Sequence, residues 1–178
     1  MLKLVATLFL ILGGSGIGYA RSRELTEREK NLEILLQILF LLKGEIRCGN
    51  SSLPDAFGKI ADKIEGSSGN ILRDAAYEME NGGGRNLERI LEVCIQRNIC
   101  EKSLPGKKRN VREEIRFWQT LGSRLGYLDR EMQIQQIEQM EIELEICRKR
   151  FREKLPEQKK ICRMLGIMTG IMLAVLFW

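Results

Sequence analysis

The sequence predicts an all-α protein, an antiparallel bundle of about six helices flanked by two terminal transmembrane helices. Three observations predict it. Apolar residues between 26 and 155 recur at spacings of three to five, and no stretch alternates with the period of a strand. Capping residues and glycine clusters cut that pattern into helix-length pieces. Both ends of the chain are apolar and uncharged, with cations just inside them.

The ends come first because the rest is placed relative to them. Leu4 to Tyr19 is apolar with glycines at 13, 14, 16 and 18, and Arg21 and Arg23 follow. The last fifteen residues, Met164–Trp178, carry no charge and follow Lys159, Lys160 and Arg163. Roughly 20 apolar residues are usual for a span, so each leg is short and needs bilayer thinning or a packing partner. Gly14 to Gly18 and Gly166 to Gly170 are both GxxxG, the spacing that lets helix backbones approach closely in lipid. Gly14, Gly18, Gly166 and Gly170 are therefore the expected membrane packing residues. A cleaved signal peptide competes for the N-terminus, since Lys3, the apolar core and Gly18-Tyr19-Ala20 mimic its three regions. Cations denser after the apolar stretch than before it oppose that reading. Three parts result: 1–20 and 164–178 as membrane helices, and 21–163 as a cytoplasmic bundle.

The net charge of +5 is placed unevenly. Residues 36–148 hold 17 basic and 18 acidic side chains, whereas 21–35 and 149–163 together hold 11 and 6. The excess therefore sits beside the apolar ends, which favours a membrane flank over a phosphate-binding face. No nucleic-acid partner is expected. There is no histidine, which removes the commonest general base and metal ligand. The five cysteines form no CxxC or zinc spacing, and the odd number fits a reducing compartment.

Thr26 and Glu29 form a capping box that opens the first bundle helix, with Leu32, Leu35, Leu36, Leu39, Leu42 and Ile46 on its buried stripe. Gly49-Asn50-Ser51-Ser52 breaks it. Ser52, Pro54 and Asp55 start a second helix carrying Phe57, Ile60, Ala61 and Ile64. Gly66 to Gly69 is a turn before a third helix through Ile71, Leu72, Ala75, Ala76 and Met79, which Gly82–Gly84 stops. Asn86 caps a fourth with Leu87, Ile90, Leu91 and Cys94. The stretch 98–109 is irregular, and Asn110 with Glu113 caps a fifth helix bearing Ile115, Trp118, Leu121 and Leu125. Asp129 caps a long sixth, with Met132, Ile137, Met140, Leu144, Cys147, Phe151 and Leu155 inward.

No catalytic constellation emerges, so neither an enzyme nor a cofactor is expected. Gly82–Gly84 lacks the Lys-Ser/Thr of a phosphate cradle and follows a helix. Lys107–Arg109 is three charges in a loop, Glu138, Glu141, Glu143 and Glu145 form a wet helix face, and Phe117 and Trp118 are core. Glu113 and Glu114 suit the first turn of their helix, where the dipole favours acids. One segment stands apart: Gly122 to Glu131 places two glycines around a tight helix connection, forming a hairpin tip for a partner. Gly122, Arg124, Gly126, Asp129, Arg130 and Glu131 are the candidate contact residues.

These residues carry a resemblance. The start Met1-Leu-Lys-Leu4, Leu25-Thr-Glu-Arg28, Leu42 to Gly49, Ser52 to Ala56, Asn81 to Gly84, and Leu121 to Gly126 with Asp129, Arg130, Glu131 and Gln133 resemble stage III sporulation protein AB over nearly the whole chain. Cys48 and Tyr127 depart from the pattern. The resemblance implies a helical domain similar to the F-protein domain of type II secretion platforms. It also implies a place in the channel complex between mother cell and forespore, in the mother-cell or outer forespore membrane. The implied partners are a cytoplasmic secretion-type ATPase, other channel proteins and lipid, with homo-oligomers allowed. The competing expectation is an exported helical binding protein with a cleaved leader and a C-terminal anchor.

Overall fold

A computed structural model describes residues 2–48, 51–81, 86–100, 108–126 and 129–176, with side-chain surroundings throughout except at 2–12, 14, 15, 17, 100, 108–111, 170, 171 and 173–176. Those residues form α1 (Leu2–Cys48), α2 (Leu53–Ala61), α3 (Ser67–Asn81), α4 (Leu87–Ile95), a π-helical turn (Gln96–Cys100), α5 (Lys108–Leu125) and α6 (Arg130–Leu176). The protein is all-α. It divides into two compact units, Met1–Lys30 with Ile146–Trp178, and Asn31–Glu145.

One expectation is corrected. Thr26 does not cap a helix, because α1 runs through it unbroken. Its Oγ1 instead donates back to the Ser22 carbonyl at 3.3 Å, the bond a threonine makes inside a helix. Glu29, its supposed capping partner, pairs with Arg152 at 3.6 Å. The flanking helices are thus continuous with the first and last bundle helices. Among the described residues no helix is long and apolar enough to cross a membrane.

In the Asn31–Glu145 unit, α1 contributes Leu35, Ile38, Leu39, Leu42 and Ile46 to one core, while Leu36 is only half-buried. Burying each such side chain contributes about 1.5–3 kcal/mol. Helix α2 starts at Ser52 as expected, and there the capping box that Thr26 does not make is found: Ser52 Oγ accepts from Asp55 N–H at 3.4 Å, and the Asp55 carboxylate accepts from Ser52 N–H at 3.3 Å. The Ser52 hydroxyl also donates to the Asp55 carboxylate, and that bond, together with the one from Ser52 N–H, holds the Asp55 carboxyl below its ordinary range. From α2, Ala56, Phe57, Ile60 and Ala61 enter the core.

The chain reverses at Gly66, whose φ of 85° favours glycine. At Gly69, in the first turn of α3, a Cβ would lie 1.9 Å from the Ile64 carbonyl oxygen, so only glycine fits. Ser67 and Ser68 there donate to one oxygen of the buried Glu114 at 3.1 and 3.2 Å. Glu114 thus serves the N-terminus of α3 and not, as expected, that of its own helix, whose first turn holds no acid. Asn86 caps α4 through Glu88 N–H. Beyond α4 the predicted irregular stretch begins as the π-turn. Buried Asn98 holds it through Nδ2, which donates to Asp74 at 2.6 Å and to the Cys94 carbonyl at 3.2 Å.

The fifth helix opens at Lys108, two residues before the predicted Asn110 cap. Its Trp118, Leu121 and Leu125 are fully buried, and Phe117 meets Trp118 edge to face at 5.1 Å. On α6, Ile137, Met140 and Leu155 are buried, and Leu144 and Phe151 are half-buried. Met132 and Cys147 are exposed, contrary to expectation. Met132 lies five residues before Ile137, off the three-and-four spacing of the buried face, and Ile134 packs against the core in its place. Glu141 is not simply wet either; it pairs with Lys43 of α1. The breaks at Gly49-Asn50 and Gly82–Gly84, Lys107 and Tyr127 lie outside the described residues, whereas Lys108 and Arg109, expected in a loop, fall within α5.

Candidate functional site

Two places collect the residues expected to carry function. The first is the junction of α5 and α6. Gly122 lies on the buried face of α5, where a Cβ would stand 2.8 Å from Glu88 Cα and 3.2 Å from the Leu91 side chain. The backbones of α4 and α5 cross there at a distance that only glycine permits. At Gly126 a Cβ would stand 2.9 Å from Asn86 Oδ1, the cap of α4. The two glycines therefore seat the end of α5 on the start of α4.

The charged residues of the segment are also engaged within the chain. Arg124 reaches Glu143 of α6 at 3.3 Å, an exposed pair of small energetic weight. Asp129 caps α6 by accepting from Met132 N–H at 3.3 Å. Gln133 donates to the Leu125 carbonyl at 3.3 Å, satisfying the end of α5. Arg130 crosses to α1 and donates from Nε to the Ile46 carbonyl and from Nη2 to the Arg47 carbonyl, both at 2.7 Å. The last carbonyls of a helix have no intrahelical partner, so this guanidinium ends α1 and ties it to α6. Arg130→Ala is expected to lower stability by about 1–2 kcal/mol, with partial rescue by Arg130→Lys, in thermal unfolding.

What remains open at this end is a groove of about 520 Å³ lined by Arg47, Arg130, Glu131, Ile134, Gln135 and Glu138. Of the six residues singled out from the sequence, Arg130 and Glu131 line it. Gly122, Arg124, Gly126 and Asp129 hold helices in place. Arg47, Gln135 and Glu138 escaped sequence reading because nothing local marks them. The available signal was their place on exposed faces of two otherwise buried helices.

The second place lies in the unit that joins the chain ends. A Cβ on buried Gly18 would stand 2.8 Å from the Cys162 carbonyl oxygen and 3.3 Å from Gly166 Cα, so α1 and α6 touch backbone to backbone. Gly14 and Gly170 lie outside the described side-chain surroundings. Away from that crossing, Tyr19, Ile161, Met164, Leu165, Met168 and Met172 are exposed. Farther along the same pair, the Arg28 guanidinium sits 4.6 Å over the Phe151 ring.

Among the described residues no three His, Cys, Asp or Glu side chains gather as a metal site would require. Cys94 is buried, and burial together with Asp74 pushes its thiol up to about 11. Cys48 and Cys147 are exposed. Iodoacetamide at pH 8 is expected to alkylate those two and spare Cys94 until the protein is unfolded, as peptide mass spectrometry would read.

The family model described as stage III sporulation protein AB matches residues 3–178. No curated protein and no solved structure matches the chain.

Proposed function

The chain belongs to the stage III sporulation protein AB family, which places it in stage III of sporulation, and on that premise we propose that it is a membrane-seated platform of the channel complex between mother cell and forespore. In this reading the apolar ends sit in the mother-cell membrane and 21–163 faces the cytoplasm. There the helical bundle meets a secretion-type ATPase and couples it to assembly of the channel, without chemistry of its own. The observation that carries the reading is the crossing at Gly18 and Gly166, which pairs the two uncharged ends. A paired short leg exposes less mismatched surface than a lone one, and local thinning of the bilayer accommodates the remainder. Arg21, Arg23, Lys159, Lys160 and Arg163 stand where anionic headgroups would be.

The test is a Gly18→Leu chain expressed in sporulating cells. It should still fold its 31–145 unit, leave the membrane fraction and arrest sporulation at stage III. A Gly18→Leu protein that stays in the membrane and supports sporulation would sink the reading. Labelling of 21–163 by an impermeant reagent in intact cells would overturn its topology. The mature protein should also retain Met1–Ala20 by mass, because Gly18 belongs to the crossing; loss of those residues would favour an exported protein instead.

A further inference from the structure

Gly44 is one of several helical glycines, with Gly13, Gly16 and Gly58, that the chain's own packing does not require. It sits inside α1, exposed, with nothing within 4 Å of a Cβ built on it. A glycine in a helix interior is unfavourable relative to alanine, and at this one the bare backbone leaves room for a second helix to approach closely. Phe40, one turn earlier, is 67% exposed, and Arg47, one turn later, is exposed and forms no ion pair among the described residues. The spacing of four and three puts Phe40, Gly44 and Arg47 on one stripe.

A second stripe lies beside it. Glu131, Gln135, Glu138 and Ile142 follow at four, three and four on α6, and Ile142 is 59% exposed. The shared groove brings Arg47 together with Glu131, Gln135 and Glu138, and Lys43 bridges to Glu138 at 4.0 Å and to Glu141. The two helices therefore run antiparallel there with both stripes on one face. At one level stand Arg47 on α1 and the carboxylates of α6; about a turn or two along stand Phe40 and Ile142.

We propose that this face is the interface for a second copy of the chain, related by a two-fold axis parallel to α1 and α6. Such an axis stacks α1 of each copy on α6 of the other, antiparallel and at the same level. Arg47 then meets Glu131 and Glu138 of the second copy, Phe40 meets its Ile142, and Gly44 lets the helices close. The interface is self-complementary in charge and in apolar character, as an isologous contact must be, and each contact occurs twice. An axis that superposed α1 on α1 in parallel would instead set Arg47 against Arg47. The proposal uses only residues of the 31–145 unit and does not depend on how the chain ends are seated.

Sedimentation equilibrium of the full chain in detergent micelles tests it. The native chain should dimerise reversibly. Arg47→Glu and Glu131→Arg should each weaken the dimer about tenfold or more, since each reversal acts at both copies of the contact. The double variant Arg47→Glu with Glu131→Arg should recover most of the loss. Gly44→Leu should also weaken the dimer while leaving the melting temperature at or above that of the native chain, which separates a lost interface from a lost fold. A chain that stays monomeric at every concentration would overturn the proposal. So would a dimer unmoved by the two reversals, which the apolar ends would then be holding.

Discussion

Trp118→Ala should produce the largest loss of stability among single core substitutions, about 3–5 kcal/mol, read as a fall in the midpoint of chemical unfolding. Trp118 is fully buried on α5, its ring meets Phe117 edge to face, and it belongs to the core that α1, α2, α3, α4 and α6 share. Truncation removes the ring's transfer free energy and leaves a cavity that close-packed helices fill only in part. The indole adds a second, sharper expectation. Among the described residues its buried Nε1–H has no hydrogen-bond partner. A buried donor without an acceptor costs about 1–3 kcal/mol, so Trp118→Phe removes a liability together with some contact area. Trp118→Phe should therefore cost far less than Trp118→Ala. If the two variants unfold at the same denaturant concentration, the indole N–H has a partner in solution and this account of the core is wrong.

Gly69→Ala should be nearly as damaging, at about 2–4 kcal/mol, because the added methyl has nowhere to go. Its Cβ would stand 1.9 Å from the Ile64 carbonyl oxygen and 3.0 Å from the carbonyl carbon, and both are backbone atoms. Overpacking against a side chain is relieved by a rotamer change; against backbone, the turn between α2 and α3 must move. Moving it also displaces Ser67 and Ser68 from the Glu114 carboxylate, leaving a buried acid short of donors. The same substitution at Gly44 should have the opposite sign. Nothing lies within 4 Å of a Cβ there, and alanine is the better helix former, so Gly44→Ala should stabilise the monomer by about 0.5–1 kcal/mol. Thermal melts of the two variants side by side, with opposite shifts, would check both.

Glycine also marks where sequence reading stops. Gly69 and Gly66 look alike in a Gly-Ser-Ser-Gly turn, yet one supplies a positive φ and the other a space between backbones. Gly122 and Gly126 read as the sharpened tip of a hairpin, but they face inward against α4. A glycine records only that a side chain is excluded. Whether a turn, a neighbouring helix or another molecule excludes it depends on residues distant in the chain. The same holds for Arg130, whose role at the end of α1 rests on contacts more than 80 residues away.

What the sequence by itself determined was the all-α class, the helix start at Ser52, the cap at Asn86, the cap at Asp129 and most of the buried stripe on each helix. Those features arise from interactions within about four residues, where apolar period and capping chemistry are written directly. The tertiary structure alone decided that Thr26 lies within α1 and that the terminal helices continue the bundle helices. It also decided that most of the Gly122–Glu131 segment serves the fold. Each of those outcomes turned on which distant backbone came close, and that distance is set by packing of the whole core.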